Sequence, residues 1–410
     1  MKVLVIGAGG QGAPCASILA KDKGTSKIIL GDMDLDLAKR VSDKIGSPKI
    51  TVVKLDAAKV KDIEEAARGV DIVINMTLMQ FNANIMKAAV NSGVHYVDAA
   101  MDYPFIEQLK EEKQPEIHNE FKKAGLTALI GCGASPGITN VLAKYACDKL
   151  DRVDGIKVRL GSRTMKESKE VVNVWTPGWS PEIAIKDYAA KPIVFEDGEY
   201  KEYAPFSGCE EYSFPDPVGK VVLCYHFHEE GVMLPRFIGK GIKYCDFKYP
   251  VDPTAGAFVK MGFASSNPVT VKGVNVAPID VLMKLVQKPV GTFFTENEDT
   301  AKIPAQSVGF FVVDVKGAKS GQEINHKIYC QHTLFANLVE RLEIYRRLGT
   351  TKIGVALPAV VGAKMCVGGD ADKGIIAPEC LDAEEFFKVM AETGCPIKFN
   401  EVISREVSVK

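Results

Sequence analysis

Residues 1–20 read MKVLVIGAGGQGAPCASILA, and the fold turns on the glycines at the centre of this stretch. The run before them, KVLVI, is continuous and rich in branched apolar residues, the pattern of a strand in a parallel sheet covered on both faces. The run after them, GAPCASILAKDKG, reads as a helix with Pro14 in its first turn, where a missing amide costs nothing. Gly7, Gly9 and Gly12 therefore fit G-x-G-x-x-G between a strand and a helix. In that motif the first glycine permits the tight turn and the second lets backbone approach a pyrophosphate. The third lets the helix pack closely on the strand. The helix N-terminus adds free amides and the positive end of its dipole, so the turn predicts a dinucleotide site that also takes in Gly10 and Gln11.

Working outward, strand and helix signals alternate. KIILGD, KITVVKLD, DIVINMT, HYVDAA and LTALIGCG read as strands. DLAKRVSDKI, DIEEAARG, NANIMKAAVNSG and YPFIEQLKEEKQPEIHNEFKKAG read as the helices between them. This spacing predicts an α/β fold, a Rossmann-type doubly wound parallel sheet over residues 1–140. Beyond residue 150 strands separated by Pro/Gly loops take over, among them GKVVLCYHFHEE, IKYCDFKYP and VGFFVVDVKGAK. They predict a central α+β domain over 141–350 with a mostly antiparallel sheet and with helices such as APIDVLMKLVQKP on one side. Residues 351–410 turn helical again and are expected to return to the first domain.

The totals exclude several classes. The chain has 410 residues, a formal net charge of −1 and 46% hydrophobic residues, enough for two or three domains with sizeable cores. Balanced charge argues against a nucleic-acid or anionic-membrane partner. The first residues do not read as a secretion signal, and no stretch is long and apolar enough to span a membrane. Ten scattered cysteines without a C-x-x-C pair suit reduced thiols, so a cytoplasmic protein is expected.

Asp32 ends the second strand, about 20 residues beyond the turn, where a carboxylate accepts from a ribose 2′-OH and repels a 2′-phosphate. NAD is the expected cofactor, with NADP open because Lys39 or Arg40 would accommodate the phosphate. Asp56, at the end of the third strand, is either an adenine-side neighbour or a solvated strand-end carboxylate.

GCGASPGITNVLAKYA (131–146) resembles the saccharopine dehydrogenase-like oxidoreductases, which include lysine 6-dehydrogenase, saccharopine reductase and carboxynorspermidine dehydrogenase. The likeness extends through 74–100, 173–200, 225–237 and GIIAPECLDAEEFF from residue 374. It implies hydride transfer between a nicotinamide and a C–N bond, in a chain that pairs as a homodimer. Carried over by position, the glycine turn, Gln11 and Asp32 hold the dinucleotide, with Asn75, Met76 and Thr77 beside its ribose and nicotinamide. Phe81, Asn82 and Asp98 border the reaction site, Asp98 as a catalytic candidate. The family's reductases carry an acid where this chain has Ser135, which implies a lysine-like or other small amino-acid substrate contacting Ser135.

HFHEE places His226 and His228 on one face of a strand. His228 is either the base that takes a proton from an amine, with a pKa near neutrality, or structural. Two ligands without a third are too few for a metal. Asn173, Trp175 and Trp179 read either as a packed corner or as a wall excluding water from a hydrolysable imine. Arg163 and Arg236 are candidate clamps for a substrate carboxylate, or solvated. Cys132 reads as a buried structural thiol, since no histidine partner can be placed beside it. The reading that results is an NAD(P)-dependent oxidoreductase acting on a CH–NH or CH–NH2 bond. A dinucleotide-binding protein without turnover and a metal hydrolase on the two histidines are its rivals.

Overall fold

The computed structural model describes residues 1–405 except 112–114, 165–174, 176, 178, 287–290, 303–306 and 336. In chain order the first elements are β1 (Lys2–Ile6), α1 (Gly12–Lys21), β2 (Lys27–Asp32), α2 (Leu35–Ile45), β3 (Ile50–Lys54), α3 (Val60–Ala66) and β4 (Ile72–Asn75). Then follow α4 (Asn82–Asn91), β5 (His95–Asp98), α5 (Tyr103–Lys110), α6 (Glu116–Lys123), β6 (Thr127–Leu129) and α7 (Ile138–Asp148). The single helix expected over 103–125 is two, because Pro115 has no amide to give and closes the ladder at the start of α6. Asp102 caps α5, accepting from the Phe105 amide at 3.0 Å.

The central elements are β7 (Arg152–Thr164), α8 (Pro181–Ala189), β8 (Ile193–Glu196), β9 (Glu199–Glu202), β10 (Glu210–Ser213), β11 (Lys220–Tyr225), α9 (Glu230–Ile238) and β12 (Tyr244–Pro250). After them come α10 (Pro253–Lys260), a β13–β14 hairpin (Val269–Val271, Val274–Val276), α11 (Pro278–Leu285), α12 (Gly291–Thr295), α13 (Glu298–Ala301), β15 (Ser307–Lys319) and β16 (Gln322–Gln331). The chain finishes with α14 (Leu338–Leu348), α15 (Ala356–Gly368), β17 (Gly374–Ile376), α16 (Ala383–Thr393) and β18 (Phe399–Arg405).

The first sheet has seven parallel strands in the order β17-β6-β5-β4-β1-β2-β3. Strand β1 sits where the winding reverses, and Ile6 is in register with both Gly31 and Asn75. The loops after β1, β2 and β4 consequently open on one sheet edge, the place where such sheets bind ligands. Helix α15 packs against α1 on the covered face, so the C-terminal stretch supplies both a strand and a cover to this sheet. The second sheet has nine strands, with the path β10-β11-β12-β7-β15-β16-β18 and with β8 and β9 branching from β12. Its β12–β7 pair is parallel and the others antiparallel. One apolar core, from Val3 and Ile18 through Leu142 to Val313 and Val360, runs continuously beneath both sheets.

Two expectations are corrected here. Cys209 and Cys224 face each other across β10 and β11 and form a disulfide, while eight thiols are free. Scatter in sequence hid the pair, because strand register and not C-x-x-C spacing brings it together. Strand β11 ends at Tyr225, so His226 and His228 lie in the turn between β11 and α9. Among the described residues no helix is long and apolar enough to cross a membrane.

Candidate functional site

The open edge of the parallel sheet and the facing elements β7, α8 and β12, with residues 332–335 and 341–355, enclose a cavity of about 1220 Å³. That is ample for a dinucleotide with a small substrate. The glycine turn forms one wall, and the three motif glycines differ as the motif requires. A Cβ on Gly12 would stand 1.7 Å from the Gly7 carbonyl oxygen. Gly7 has φ +98°, and a Cβ there would meet the Met76 carbonyl oxygen at 2.8 Å. A Cβ on Gly9 would meet nothing within 4 Å, so the backbone there faces open space of the kind the motif keeps for a phosphate. Gly9, Gly10 and Gln11 line the cavity at the start of α1, whose first amides have no intrahelical acceptor. These features fit a dinucleotide.

Asp32 lines the same wall. Its Oδ2 accepts the Ala8 amide at 2.6 Å and its Oδ1 the Asp34 amide at 2.8 Å, which ties the turn to the end of β2. Asp56 does not line the cavity. It accepts from the Ala58 amide at 3.0 Å and pairs with Lys59 at 3.5 Å, the strand-end role.

The end of β4 is held by side-chain amides. Asn75 Oδ1 accepts from the Thr77 amide at 2.9 Å and its hydroxyl at 2.7 Å, and Asn75 Nδ2 donates to Asn82 at 2.7 Å. Met76, Thr77, Phe81 and Asn82 join Asn75 on the cavity wall. Asp98, the catalytic candidate, lines the cavity with both carboxylate oxygens engaged. Its Oδ1 accepts from the Gly131 amide at 2.6 Å, and its Oδ2 from Tyr96 at 2.8 Å and Asn82 at 3.2 Å. Burial pushes the acid up to about 7 against those donors. It is the bolt joining β5, α4 and the 131 turn.

Opposite the nucleotide wall lies a cluster of acids around His228. His228 Nδ1 is hydrogen-bonded to Glu230 and stands 3.4 Å from Glu229 Oε2. The ring stacks on Phe247 with 4.1 Å between centroids and lies 6.3 Å from His226. Burial pulls the His228 imidazole down, but Glu230, Glu229 and Asp187 outweigh it and raise it to about 9. Burial and the charge on His228 together lower His226 to about 3. The near-neutral pKa expected of His228 is thus corrected: one histidine is held charged and the other neutral. Burial tends to raise Glu230, but His228 and the hydroxyls of Ser135 and Thr139 leave it lowered. Burial raises Glu229. The Ser135 hydroxyl donates to Glu230 of α9, and Thr139 donates to the same oxygen at 2.7 Å, so this fully buried carboxylate lies behind the cavity wall and not on it. Among the described residues, His228, Glu229 and Glu230 form the one such group with ligand-capable atoms within 4.8 Å of each other.

The remaining candidates separate. Trp179 lines the cavity beside Asp187, whereas Trp175 is 8% exposed and packs edge-on against Phe258. Arg163 is exposed and donates to the Pro217 carbonyl at 3.4 Å. Arg236 is half-buried in α9, and neither arginine lines the cavity. Among the described residues, Arg341 and Lys352 are the arginine and lysine that do. Asn173 lies outside the described residues. Burial pushes the Cys132 thiol far up, and it donates to the Pro358 carbonyl at 3.3 Å, a structural placement. Sequence reasoning missed Glu229, Glu230, Asp187, Arg341 and Lys352. The doublet Glu229–Glu230 was visible beside the histidines, but an acidic pair at a helix start ordinarily reads as solvated.

The saccharopine dehydrogenase NADP binding domain model matches residues 3–129, and the saccharopine dehydrogenase C-terminal domain model matches 133–395. Carboxyaminopropylagmatine dehydrogenase from Synechocystis sp. is 27% identical, with 98% of each chain covered. Carboxynorspermidine synthase from Vibrio alginolyticus is 24% identical over 96% of this chain and 95% of its own. Among solved structures, apo saccharopine dehydrogenase (L-Glu forming) from Saccharomyces cerevisiae has a TM-score of 0.64 at 15% identity, covering 98% of this chain and 99% of that one. Homospermidine synthase from Legionella pneumophila in complex with NAD also scores 0.64, at 13% identity, over 98% and 91%. With the glycine turn, the β4 end and the Ser135 loop gathered on one cavity, and both family models matched in sequence, this chain belongs to the saccharopine dehydrogenase family.

Proposed function

We propose that this NAD(P)-dependent oxidoreductase interconverts an imine and a secondary amine that joins an amino-acid-derived carbon to the terminal nitrogen of a diamine. The observation that carries this reading is the acid-lined aromatic bowl at the reaction end of the cavity. Glu229 and Asp187 bring negative charge to it, and Trp179, Phe247 and Tyr249 bring ring faces. Such a bowl attracts a protonated amine and keeps water from a hydrolysable C=N bond. The names of the two curated relatives, both enzymes of carboxylated polyamine-type compounds, support the same reading.

A bound reduced nicotinamide supplies the hydride. Every other role falls to the chain. The first turn of α1 and the glycine turn hold the pyrophosphate, Asp32 the adenosine ribose, and Asn75–Thr77 the nicotinamide side. Glu230 occupies His228 Nδ1, which leaves Nε2 to give a proton to the substrate nitrogen during reduction and to take it back during oxidation. Arg341 and Lys352 supply positive charge for a carboxylate or phosphate elsewhere in the cavity. Holding the carbon against the nicotinamide provides the rest of the acceleration.

A lysine 6-dehydrogenase-like reaction is the second reading, favoured by Ser135 in place of an acid. Purified protein given NAD or NADP with carboxylated polyamines, saccharopine and lysine separates the two through absorbance of the reduced nicotinamide. Reduction driven by a carboxylated polyamine supports the first reading. Turnover with lysine alone replaces it with the second, and silence in both directions refutes both.

A further inference from the structure

One buried carboxylate has had no part in any role given so far. Glu296, between α12 and α13, is 6% exposed. Its Oε2 accepts from the Thr350 hydroxyl at 2.7 Å, and its Oε1 accepts from the Thr351 amide at 2.7 Å and from the Thr351 hydroxyl. The Thr350 hydroxyl oxygen in turn accepts from the Lys352 amide at 3.0 Å. Each donor gives its own proton directly, and a carboxylate has lone pairs enough for all that reach it, so the 350–352 turn takes its shape from Glu296. The turn lies against the helix that begins at the glycine turn. The Leu348 carbonyl accepts from Ser17 of α1 at 2.9 Å, a Cβ on Gly349 would stand 2.5 Å from the Ser17 hydroxyl oxygen, and α15 packs along α1. The Glu296 carbonyl accepts from Lys44 of α2 at 2.8 Å, which ties the same unit to the next helix of the nucleotide half.

Thr351 and Lys352 line the cavity that Gly9, Gly10 and Gln11 also line at the start of α1. The Lys352 side chain is exposed, and among the described residues no hydrogen bond or ion pair engages its ammonium. Arg341 differs: it lies over the Phe335 ring at 5.8 Å, and the charge of Glu296 opposes the downward pull of burial on its guanidinium. Arg341 therefore balances Glu296, and Lys352 is left to bring net positive charge to this part of the wall. The acid bowl around His228 is built from other elements, α8, β12 and the turn before α9. We propose that Lys352 binds a phosphate of the dinucleotide, and that Glu296 is the positioning residue that presents it by shaping the 350–352 turn. The inference deepens the cofactor assignment and rests on the dinucleotide lying in this cavity. The fixed negative charge of a dinucleotide is on its pyrophosphate, and on the 2′-phosphate in NADP, and an ammonium meets either as a point charge.

The test titrates full-length protein with NADH and with NADPH by cofactor fluorescence, beside urea unfolding of each variant. Lys352→Ala is expected to weaken cofactor binding about tenfold at the wild-type urea midpoint, and Lys352→Arg to regain most of the affinity. A loss shared by both cofactors assigns the ammonium to the pyrophosphate, and a loss confined to NADPH assigns it to the 2′-phosphate; either supports the proposal. The wild-type dissociation constant should also rise more steeply with salt than that of Lys352→Ala, a difference that a merely structural residue would not make. Unimpaired binding of both cofactors by Lys352→Ala, or equal salt slopes, overturns the proposal. Glu296→Leu leaves the donors of the turn without an acceptor. It is expected to weaken the cofactor by a similar factor and to add little when combined with Lys352→Ala. If Glu296→Leu does not fold, Thr350→Val decides in its place, since it keeps the shape of the side chain and removes the bonds to Glu296 and to the Lys352 amide. Unchanged binding in these variants, or a loss that adds in full to that of Lys352→Ala, overturns the positioning role of Glu296. A wild type that binds neither cofactor would refute the dinucleotide reading itself, whereas wild-type binding left unmoved in Lys352→Ala refutes this proposal alone. No amine enters the measurement, so it stands apart from the choice of substrate.

Discussion

Replacing Gly9 and Gly12 in turn by alanine separates cofactor binding from folding within a span of four residues. A methyl on Gly12 would lie 1.7 Å from the Gly7 carbonyl oxygen and 2.7 Å from its carbon, both backbone atoms that cannot swing aside. Helix α1 would have to lift from the sheet, and overpacking of this kind costs about 3 kcal/mol. A methyl on Gly9 meets nothing within 4 Å, and Gly9 does not have the left-handed backbone that penalises a side chain. Gly9→Ala should therefore unfold at the wild-type urea midpoint. Its methyl would nevertheless stand where the pyrophosphate approaches the turn, and losing one charge-assisted hydrogen bond there costs about 2 kcal/mol. That corresponds to roughly a 30-fold weaker dissociation constant for the reduced cofactor. Urea unfolding and a titration of cofactor fluorescence on each variant are the assays. Gly12→Ala should lose both stability and binding, and Gly9→Ala binding alone. Unimpaired binding by Gly9→Ala, or destabilisation as large as in Gly12→Ala, would refute the assignment of that open space to a phosphate.

Three further outcomes are expected. Because His228 is raised to about 9, it is charged at neutral pH. Amine oxidation should accelerate as pH rises towards about 9 while imine reduction slows, and His228→Gln should flatten both limbs. The same shift makes a stability contribution that is complete below the ordinary histidine value and lost as pH rises through about 9, visible as a falling urea midpoint in wild type and not in His228→Gln. Trp179→Ala should raise the substrate KM with little change in stability, since its ring is 38% exposed on the cavity. Trp175→Ala should cost about 3 kcal/mol because its ring fills the cluster with Phe258. Asp98→Asn sets an NH2 against a site built from the donors Gly131 N–H, Tyr96 O–H and Asn82 NH2, so a loss of about 2–4 kcal/mol in urea unfolding should accompany weakened cofactor binding.

The parallel sheet was legible because each strand is a short branched apolar run and each helix carries its own stop, as at Gly46, which ends α2 in the left-handed region. The glycine turn was legible for the same reason, since its chemistry is local in the chain. What escaped depends on distance in sequence. Strand β17 has three residues and joins the sheet only by pairing with β6, some 250 residues earlier. The Cys209–Cys224 bond depends on the register of β10 against β11. At the site, HFHEE displayed both histidines and both glutamates of the acid cluster, and only Asp187 comes from elsewhere, on α8. Burial was the missing fact, and it comes from β12 and α7 closing over α9. Neither arginine singled out as a carboxylate clamp lines the cavity, for a related reason: Arg163 is exposed on a strand whose neighbours face the cavity, and the arginine and lysine on the described cavity wall are Arg341 and Lys352.

The most direct measurement follows an isotope. Protein mixed with an amino-acid semialdehyde, a diamine and nicotinamide cofactor deuterated at the transferable position should yield a secondary amine carrying one deuterium on the carbon bonded to nitrogen, read by mass spectrometry. Deuterium at that carbon, accumulating far more slowly when His228→Gln replaces the wild type near neutral pH, is the expected result. A mixture that consumes no reduced cofactor and contains no deuterated amine would contradict C–N hydride transfer in this chain.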